Sequence, residues 1–221
     1  MKAAKERLVR IASGTVTLEG MLEMKPAAPG IVLFAHGSGS SRHSPRNNYV
    51  AAELRRNGLA TLLIDLLTPA EDADYERRFD IALLVERLHD TVRWLAAEPA
   101  TRGLPVGLFG ASTGAAAALQ LAAAVPSKVA AVVSRGGRPD LAGDMSLVRV
   151  RAPTLLIVGS RDTEVLALND AAYARLHCKK AIFVVPGATH LFEEAGTLEI
   201  AAHHAADWFT RHLAPALARE A

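Results

Sequence analysis

Six short apolar runs, separated by longer helical patterns, place the strongest constraint on how this chain can fold. Each run is almost continuously apolar and is bounded by glycine, proline or polar residues. Strands of a parallel sheet that is covered on both faces have this pattern. The sequence therefore predicts six buried strands, at residues 30–36 (GIVLFAH), 60–67 (ATLLIDLL), 105–110 (PVGLFG), 128–134 (KVAAVVS), 153–160 (PTLLIVGS) and 181–187 (AIFVVPG).

Helical patterns lie between these strands. Ser44 and Pro45 supply a cap and a first-turn proline for one helix, and Gly58 closes it. Three more helices are expected, over residues 81–95, from residue 112 onward, and over residues 198–213. Because strands and helices alternate, we predict an α/β fold with a doubly wound, mostly parallel sheet and helices on both faces.

The segment before the first of these strands has a different pattern. Residues 7–25 (RLVRIASGTVTLEGMLEMK) alternate between apolar and polar side chains and contain no helical stretch. Such alternation is typical of antiparallel strands with one solvated face. We expect an antiparallel hairpin at one edge of the sheet. No repeat or linker interrupts residues 1–221, so one domain is predicted.

Ser112 lies between a predicted strand and a predicted helix, within GLFGASTGAAAA (107–118). A G-x-S-x-G nucleophile elbow has this context, because its turn is too tight for side chains at Gly110 and Gly114. The alanines that follow allow the helix to lie close to the sheet. The sequence therefore predicts Ser112 as a nucleophile. The structural alternative is a tight turn in which the serine only caps the helix.

An acid and a histidine follow in the chain order typical of this elbow. Asp162 comes just after the strand 153–160, and His190 comes just after the strand 181–187. Loops at the carboxyl ends of parallel strands share one crevice, so the three side chains are predicted to form a catalytic triad. Asp162 would otherwise be a helix cap and His190 a packing residue. Two further acids compete for the imidazole, Glu193 and Glu194.

The glycine-rich segment FAHGSGSSRHS (34–44) follows the first buried strand. Such a loop allows a backbone N–H to approach a developing oxyanion. We expect the backbone N–H groups of Ser38 and Thr113 to form the oxyanion hole. The alternative is a flexible loop in which His36 makes only structural hydrogen bonds.

These motifs together identify a family resemblance. Over roughly residues 28–213, the segments HGSGSS, GASTG, VGSRD and GATHLF resemble the α/β-hydrolases, in particular their lidless, dienelactone-hydrolase-like branch. The resemblance implies the α/β-hydrolase fold and the triad Ser112, Asp162 and His190. Dienelactone hydrolases have a cysteine nucleophile where this chain has Ser112, so the resemblance does not extend to their substrate. Proteins of this type are sometimes linked to a phosphoribosyltransferase domain, of which this sequence shows no sign.

The expected activity is that of a serine hydrolase acting on a small-molecule acyl ester. A thioesterase, a lactonase or dienelactone hydrolase, and a peptidase would use the same residues, and a non-catalytic binding protein would keep the fold alone. Only about 18 residues separate two strands between which many relatives insert a cap, so an open site is expected. Residues 68–80 are a candidate for a partial flap over it.

Three arginines are candidate substrate-binding residues. Arg135 follows the strand 128–134 at its carboxyl end, and Arg42 and Arg46 follow the oxyanion loop. Guanidinium groups there would bind a carboxylate or phosphate on the substrate. The alternative is that each arginine pairs with a nearby acid, as Asp140 would allow for Arg135.

Other function classes find no support in the sequence. The net charge of +2 and the dispersed arginines indicate no nucleic-acid partner. No apolar run reaches the roughly 18 residues of a membrane span, and the N-terminus lacks a secretory signal. The single cysteine, Cys178, permits no internal disulfide; it lies beside a histidine but outside any elbow, so an inert thiol is expected, with a nucleophilic role as the alternative. We therefore expect a cytoplasmic protein without membrane partner, metal or cofactor. The adjacent His203 and His204 do not form a metal site, because neighbouring side chains on a helix point in different directions.

Overall fold

The computed structural model describes residues 5–214, and within them eight strands form one sheet. The strands are β1 (Lys5–Ser13), β2 (Val16–Met24), β3 (Ile31–Ala35), β4 (Ala60–Ile64), β5 (Val106–Ala111), β6 (Ala131–Arg135), β7 (Thr154–Gly159) and β8 (Lys180–Val185). Their order across the sheet is β1-β2-β4-β3-β5-β6-β7-β8.

The pairing of the strands confirms the predicted fold class. From β4 to β8 every neighbouring pair is parallel. β1 and β2 form an antiparallel hairpin that joins the edge of the sheet through an antiparallel pairing of β2 with β4. The predicted strand 60–67 is shorter in the structure, because the chain leaves the sheet after Ile64.

Seven helices lie in the described part of the chain: α1 (Pro45–Arg56), α2 (Pro69–Asp72), α3 (Ile81–Ala97), α4 (Thr113–Ala124), α5 (Asp144–Arg149), α6 (Thr163–Arg175) and α7 (Thr197–Leu213). The expected caps of α1 are present, since the Ser44 hydroxyl accepts the N–H of Asn47 and Pro45 begins the helix. No helix between residues 5 and 214 has the length and apolar character needed to cross a bilayer.

The helices cover both faces of the sheet, which explains why the strand sequences are apolar throughout. α1 and α7 pack on one face against side chains such as Phe34 and Phe109. α3, α4, α5 and α6 pack on the other face against side chains such as Leu33 and Leu108. Successive strand residues therefore enter opposite cores, and neither face is left polar.

Two connections matter for access to the carboxyl ends of the strands. Residues 136–153, between β6 and β7, form a short 3₁₀ turn and α5, which pack against α4 and α6 beside the sheet. In the segment 68–80, the Glu71 carboxylate accepts the N–H of Thr68 and pairs with Arg87 of α3 at 2.9 Å. These contacts tie the start of that segment to the body of the protein.

Candidate active site

Ser112 occupies the turn between β5 and α4 in a backbone conformation that favours glycine, with φ 50° and ψ −123°. Non-glycine residues adopt positive φ at a cost of order 1–3 kcal/mol, and such strain is concentrated at functional sites. The Ser112 side chain makes no capping hydrogen bond to α4. The alternative role for this serine, as a cap of α4, is therefore not what the structure shows.

Glycines allow the nucleophile turn and the loop after β3 to come together. A Cβ atom on Gly114 would lie 2.5 Å from the carbonyl oxygen of His36, and closer still to that of Ala35. A Cβ atom on Gly37 would lie 2.9 Å from the Cβ of Ser112. Real Cβ atoms do not approach other atoms so closely, so only glycine permits this arrangement.

His190 and Asp162 are in direct contact. Nδ1 of the imidazole lies 2.6 Å from Oδ2 of the carboxylate. An ionised carboxylate only accepts hydrogen bonds, so the proton of the neutral ring is on Nδ1 and Nε2 is left as an acceptor. Asp162 stands at the N-cap position of α6, but its side chain makes no capping bond.

The other two acids considered for this histidine have different partners. Glu193 forms an ion pair with Arg46 at 3.1 Å. Glu194 accepts the backbone N–H of Thr189, and this hydrogen bond lowers the pKa of the Glu194 carboxyl. Of the three acids, the structure places only Asp162 on the imidazole.

The loops that carry the acid and the base are joined by hydrogen bonds. The backbone N–H of Arg161 donates to the carbonyl of Ala188 at 2.9 Å, and the N–H of Gly187 donates to the Ser160 hydroxyl at 2.8 Å. The loops after β7 and β8 therefore hold each other in position, and preorganised contacts of this kind fix a catalytic base.

His36 orients the loop that was predicted to stabilise an oxyanion. The N–H of Leu66 donates to Nε2 of His36, so the ring proton is on Nδ1, which donates to the carbonyl of Gly37; both distances are 2.9 Å. Burial lowers the pKa of His36, which favours this neutral form. The Ser38 N–H belongs to the same peptide unit as the Gly37 carbonyl and therefore points away from His36.

Both expected oxyanion donors lie beside the serine. Thr113 is the first residue of α4, so its backbone N–H has no partner within the helix. Ser38 lines a cavity together with Ser112.

That cavity has a volume of about 220 Å³, and five of the predicted site residues contribute to its lining: Ser38, Arg46, Ser112, Arg135 and His190. It is smaller than most sites for drug-sized ligands. Its lining consists of Gly37, Ser38, Ser40, Ser44, Arg46, Asn47, Ala111, Ser112, Arg135, Gly136, His190 and Leu191. Sequence reasoning missed Asn47, which reaches the cavity from the first turn of α1. The sequence signal closest to Asn47 was the cap at Ser44, which predicted the start of the helix but not a place in the site.

The three candidate arginines have different environments. Arg135 and Arg46 line the cavity. The expectation for Arg42 is not met, because its guanidinium forms ion pairs with Asp65 and Glu19 outside the lining. Those carboxylates hold the side chain against the body of the protein.

Two other features lie apart from this site. Residues 68–80 do not line the cavity, although the Arg78 guanidinium of this segment lies beside Gly39 in the loop after β3. Cys178 is half-buried with Sγ 3.7 Å from the Thr154 hydroxyl, and burial raises the pKa of its thiol. A raised pKa disfavours the reactive thiolate.

Comparison with known proteins identifies the family of this chain. Residues 28–212 match the model of the alpha/beta hydrolase domain family. The chain belongs to the α/β-hydrolases. A dienelactone hydrolase from Anabaena variabilis is 52% identical, with a TM-score of 0.91, and the match covers 95% of this chain and 98% of that one. This relationship confirms the dienelactone-hydrolase-like branch.

More distant matches agree with the fold of this α/β-hydrolase. An esterase domain from Rhodothermus marinus is 18% identical with a TM-score of 0.76, covering 95% of this chain and 99% of that one. At this level of identity the match shows the shared fold alone.

Two curated relatives from Mycobacterium tuberculosis are named putative phosphoribosyl transferases and are 58% identical over 209 residues. The match covers 95% of this chain but 47% of each relative, so the chain spans about half their length.

Proposed function

We propose that this protein is a serine hydrolase that cleaves small acyl esters through an acyl-enzyme. One observation carries the proposal: Ser112, in its strained turn, lines the same cavity as His190, and Asp162 holds the other nitrogen of that imidazole. A nucleophile, a base and a group that orients the base are the parts that acyl transfer requires.

In the first half of the reaction, Ser112 becomes acylated. Nε2 of His190 accepts the proton of the Ser112 hydroxyl while Oγ attacks the ester carbonyl carbon. The negative charge that develops on the carbonyl oxygen is stabilised by the N–H groups of Ser38 and Thr113. As the tetrahedral intermediate collapses, the imidazolium returns its proton to the departing alcohol oxygen, and the acyl group remains on Oγ.

In the second half, water removes the acyl group. Nε2 of His190 takes a proton from the water as its oxygen attacks the acyl carbonyl, and the same two N–H groups stabilise the second oxyanion. Collapse returns that proton to Ser112 Oγ and releases the carboxylic acid. In both halves the Asp162 carboxylate stabilises the transient imidazolium and holds its tautomer.

The cavity volume of about 220 Å³ favours small acyl groups. Thioesters and lactones would react by the same two steps, so a panel of esters, thioesters and lactones of equal acyl length is the assay that separates them. The transferase in the names of the mycobacterial relatives refers to proteins about twice as long, and we propose hydrolysis for the half that this chain matches.

A fluorophosphonate probe tests the proposal, because it labels serines that are activated by a base. Wild type and the Cys178→Ala variant are expected to be labelled, and Ser112→Ala is not. Turnover of 4-nitrophenyl acetate by Ser112→Ala should fall on the order of 10³-fold or more. Labelling that persists in Ser112→Ala places the nucleophile elsewhere. A wild-type protein that neither labels nor turns over any ester of the panel is a binding protein.

A further inference from the structure

We propose that Asn47 is a specificity-determining residue, whose side-chain NH₂ group binds a second, uncharged oxygen atom of the substrate. The preferred substrates are then short esters that carry a ketone, hydroxyl or ether oxygen close to the scissile carbonyl. The inference rests on the proposed hydrolase function, to which it adds the chemistry of the group beside the ester.

Asn47 is held in the wall of the cavity by the start of α1. It is the third residue of that helix, and its backbone N–H donates to the Ser44 hydroxyl at 3.3 Å. It lines the same cavity as Ser112, although it is only 3% exposed. A side chain that is buried and anchored in this way is preorganised, and preorganisation reduces the entropy that is lost on binding.

The contact with Arg135 determines how the amide is oriented. Oδ1 of Asn47 lies 3.5 Å from Nη2 of Arg135, a long hydrogen bond. A guanidinium only donates hydrogen bonds, so the amide turns its oxygen toward Arg135 and its NH₂ group away from it. The acid that was expected beside this guanidinium does not compete for it. Asp140 instead forms a two-bond ion pair with Arg138, at 2.9 and 2.7 Å.

The NH₂ group of Asn47 lacks a hydrogen-bond acceptor in the protein. Nδ2 has no partner among residues 5–214, and it is not one of the side-chain atoms that the protein encloses away from solvent. It therefore faces the cavity, in contrast to Nε and Nη1 of Arg135, which are enclosed. Buried polar groups are rarely left unpaired, and an acceptor oxygen of a bound substrate would supply the missing partner.

The rest of the lining favours an uncharged polar group. Four of the lining residues are serines, and only two, Ala111 and Leu191, have apolar side chains. The guanidinium of Arg46, also in the lining, is paired with Glu193 at 3.1 Å, which offsets its charge. Amide and hydroxyl donors gain a hydrogen bond from a neutral oxygen, whereas an alkyl chain would leave them unpaired. We therefore expect an oxygenated substrate to be preferred over a purely alkyl one.

The competing explanation gives Asn47 a structural role alone, in which its amide supports Arg135 and the start of α1. Two substitutions of similar size separate the explanations. Asn47→Asp keeps an oxygen beside Arg135 but replaces the NH₂ donors by an acceptor. Asn47→Leu replaces the whole amide by an apolar group.

Binding to the Ser112→Ala variant tests the subsite without any turnover. The probes are ethyl 3-oxopentanoate, ethyl 4-oxopentanoate and 2-oxopropyl pentanoate, which place a ketone on either side of the ester. Ethyl pentanoate and propyl pentanoate are the references of equal length without the ketone. In NMR titrations, at least one ketoester should bind about three- to tenfold more tightly than its reference, as expected for one net hydrogen bond.

The two Asn47 variants should remove this preference. In the Ser112→Ala background, we expect Asn47→Asp to abolish it and Asn47→Leu to abolish or reverse it, while binding of the reference esters stays almost unchanged. Asn57→Asp is the matched control, because it makes the same change at the exposed, far end of α1 and should alter neither affinity. The ketoester with the largest preference locates the bound oxygen.

Kinetics with Ser112 intact distinguish a subsite from a support. For a subsite, Asn47→Leu raises KM for the preferred ketoester and spares kcat/KM for its reference. The proposal is overturned by equal losses on both esters, by equal affinities of ketoesters and references in the presence of Asn47, or by tighter binding of the anionic monoethyl succinate than of every ketoester. Because the binding measurement needs no catalysis, it stands even where the fluorophosphonate probe shows that Ser112 is not the nucleophile.

Discussion

Asp162 and His190 are joined by a 2.6 Å hydrogen bond although 28 residues separate them in the chain. Each follows a different strand, and their loops are held together by two further hydrogen bonds. The carboxylate is mostly buried, with its side chain 14% exposed, whereas the imidazole is 38% exposed. The Asp162 carboxylate thus lies on the protein side of the imidazole, and His190 itself lines the cavity.

Replacing this acid by its amide should disable the base. In Asp162→Asn, the side-chain NH₂ can donate to Nδ1, which favours the tautomer with its proton on Nε2. That tautomer cannot accept the Ser112 proton, so kcat is expected to fall roughly 10³-fold or more with little change in KM. Glu193→Gln is the control, because that carboxylate pairs with Arg46, and it should keep most of the activity. The opposite pattern would assign the acid to Glu193.

His36→Gln tests whether His36 positions the oxyanion loop. Loss of the bond to Gly37 frees the peptide that contains the Ser38 N–H, and removing one oxyanion donor costs about 10²–10³ in kcat elsewhere. We expect a fall in kcat of at least about tenfold with KM nearly unchanged. His43→Ala, an exposed change in the same loop, should have no effect. A rise in KM with kcat unchanged would contradict the positioning role.

The same histidine should make stability depend on pH. Its pKa is lowered in the folded protein by burial, so below about pH 6.5 the unfolded state binds a proton that the folded state does not. Stability is therefore lost as the pH falls below that value, by up to about 1.4 kcal/mol per pH unit. Denaturant unfolding from pH 7 to pH 5 should show a steeper loss for wild type than for His36→Gln. Parallel curves would show that His36 does not titrate differently in the two states.

Arg135 should be a destabilising residue. Its burial lowers its pKa to about 10, which corresponds to an unfavourable contribution on the order of 3 kcal/mol at neutral pH. Arg135→Met removes the charge and its unpaired donors while filling similar space, so we expect the free energy of unfolding to rise by about 1–3 kcal/mol. Arg138→Met breaks a surface ion pair and should cost less than about 1 kcal/mol. A clear loss of stability in Arg135→Met would mean that the guanidinium is satisfied in the free protein.

Gly114→Ala should destabilise the protein by steric overlap with the backbone of β3 and the residue after it. The added methyl group meets two carbonyl oxygens that cannot move without distorting the sheet. We expect a loss of more than about 3 kcal/mol, at the upper end of single substitutions. Gly103→Ala is the control, because that glycine has φ +83° and open space around it, so only backbone strain of about 1 kcal/mol is added. A loss in Gly114→Ala no larger than that in Gly103→Ala would show that the surrounding backbone can accommodate the added methyl group.

The fold and the triad positions could be predicted because their signals are local. Continuous apolar runs require a sheet covered on both faces, and the glycines around Ser112 reflect a turn that spans only a few residues. The structure joins Asp162 to His190 and puts Ser112 and His190 in one cavity lining, whereas the action of the three residues as a catalytic triad remains a prediction. Helix α6 was not singled out, because few of its side chains are buried, among them Val165 and Ala172.

The partners of the arginines could not be predicted, because they depend on tertiary contacts. Arg46 and Glu193 are 147 residues apart, and the carboxylate of Asp65 that holds Arg42 follows a different strand. Before the fold is known, Arg42 and Arg135 are equivalent candidates. Only the folded structure shows that Arg42 has carboxylate partners and that Arg135 has none among residues 5–214.

The short connection between β6 and β7 has a consequence for the timing of turnover. Because its turn and α5 pack beside the sheet, no described segment has to open before the acid and alcohol depart. Enzymes with mobile lids are often limited by product release. Here we expect the slow step to be chemical. Raising the viscosity with glycerol or sucrose at constant pH should therefore leave kcat unchanged. The acyl group, rather than any motion of the protein, should determine how long each cycle lasts.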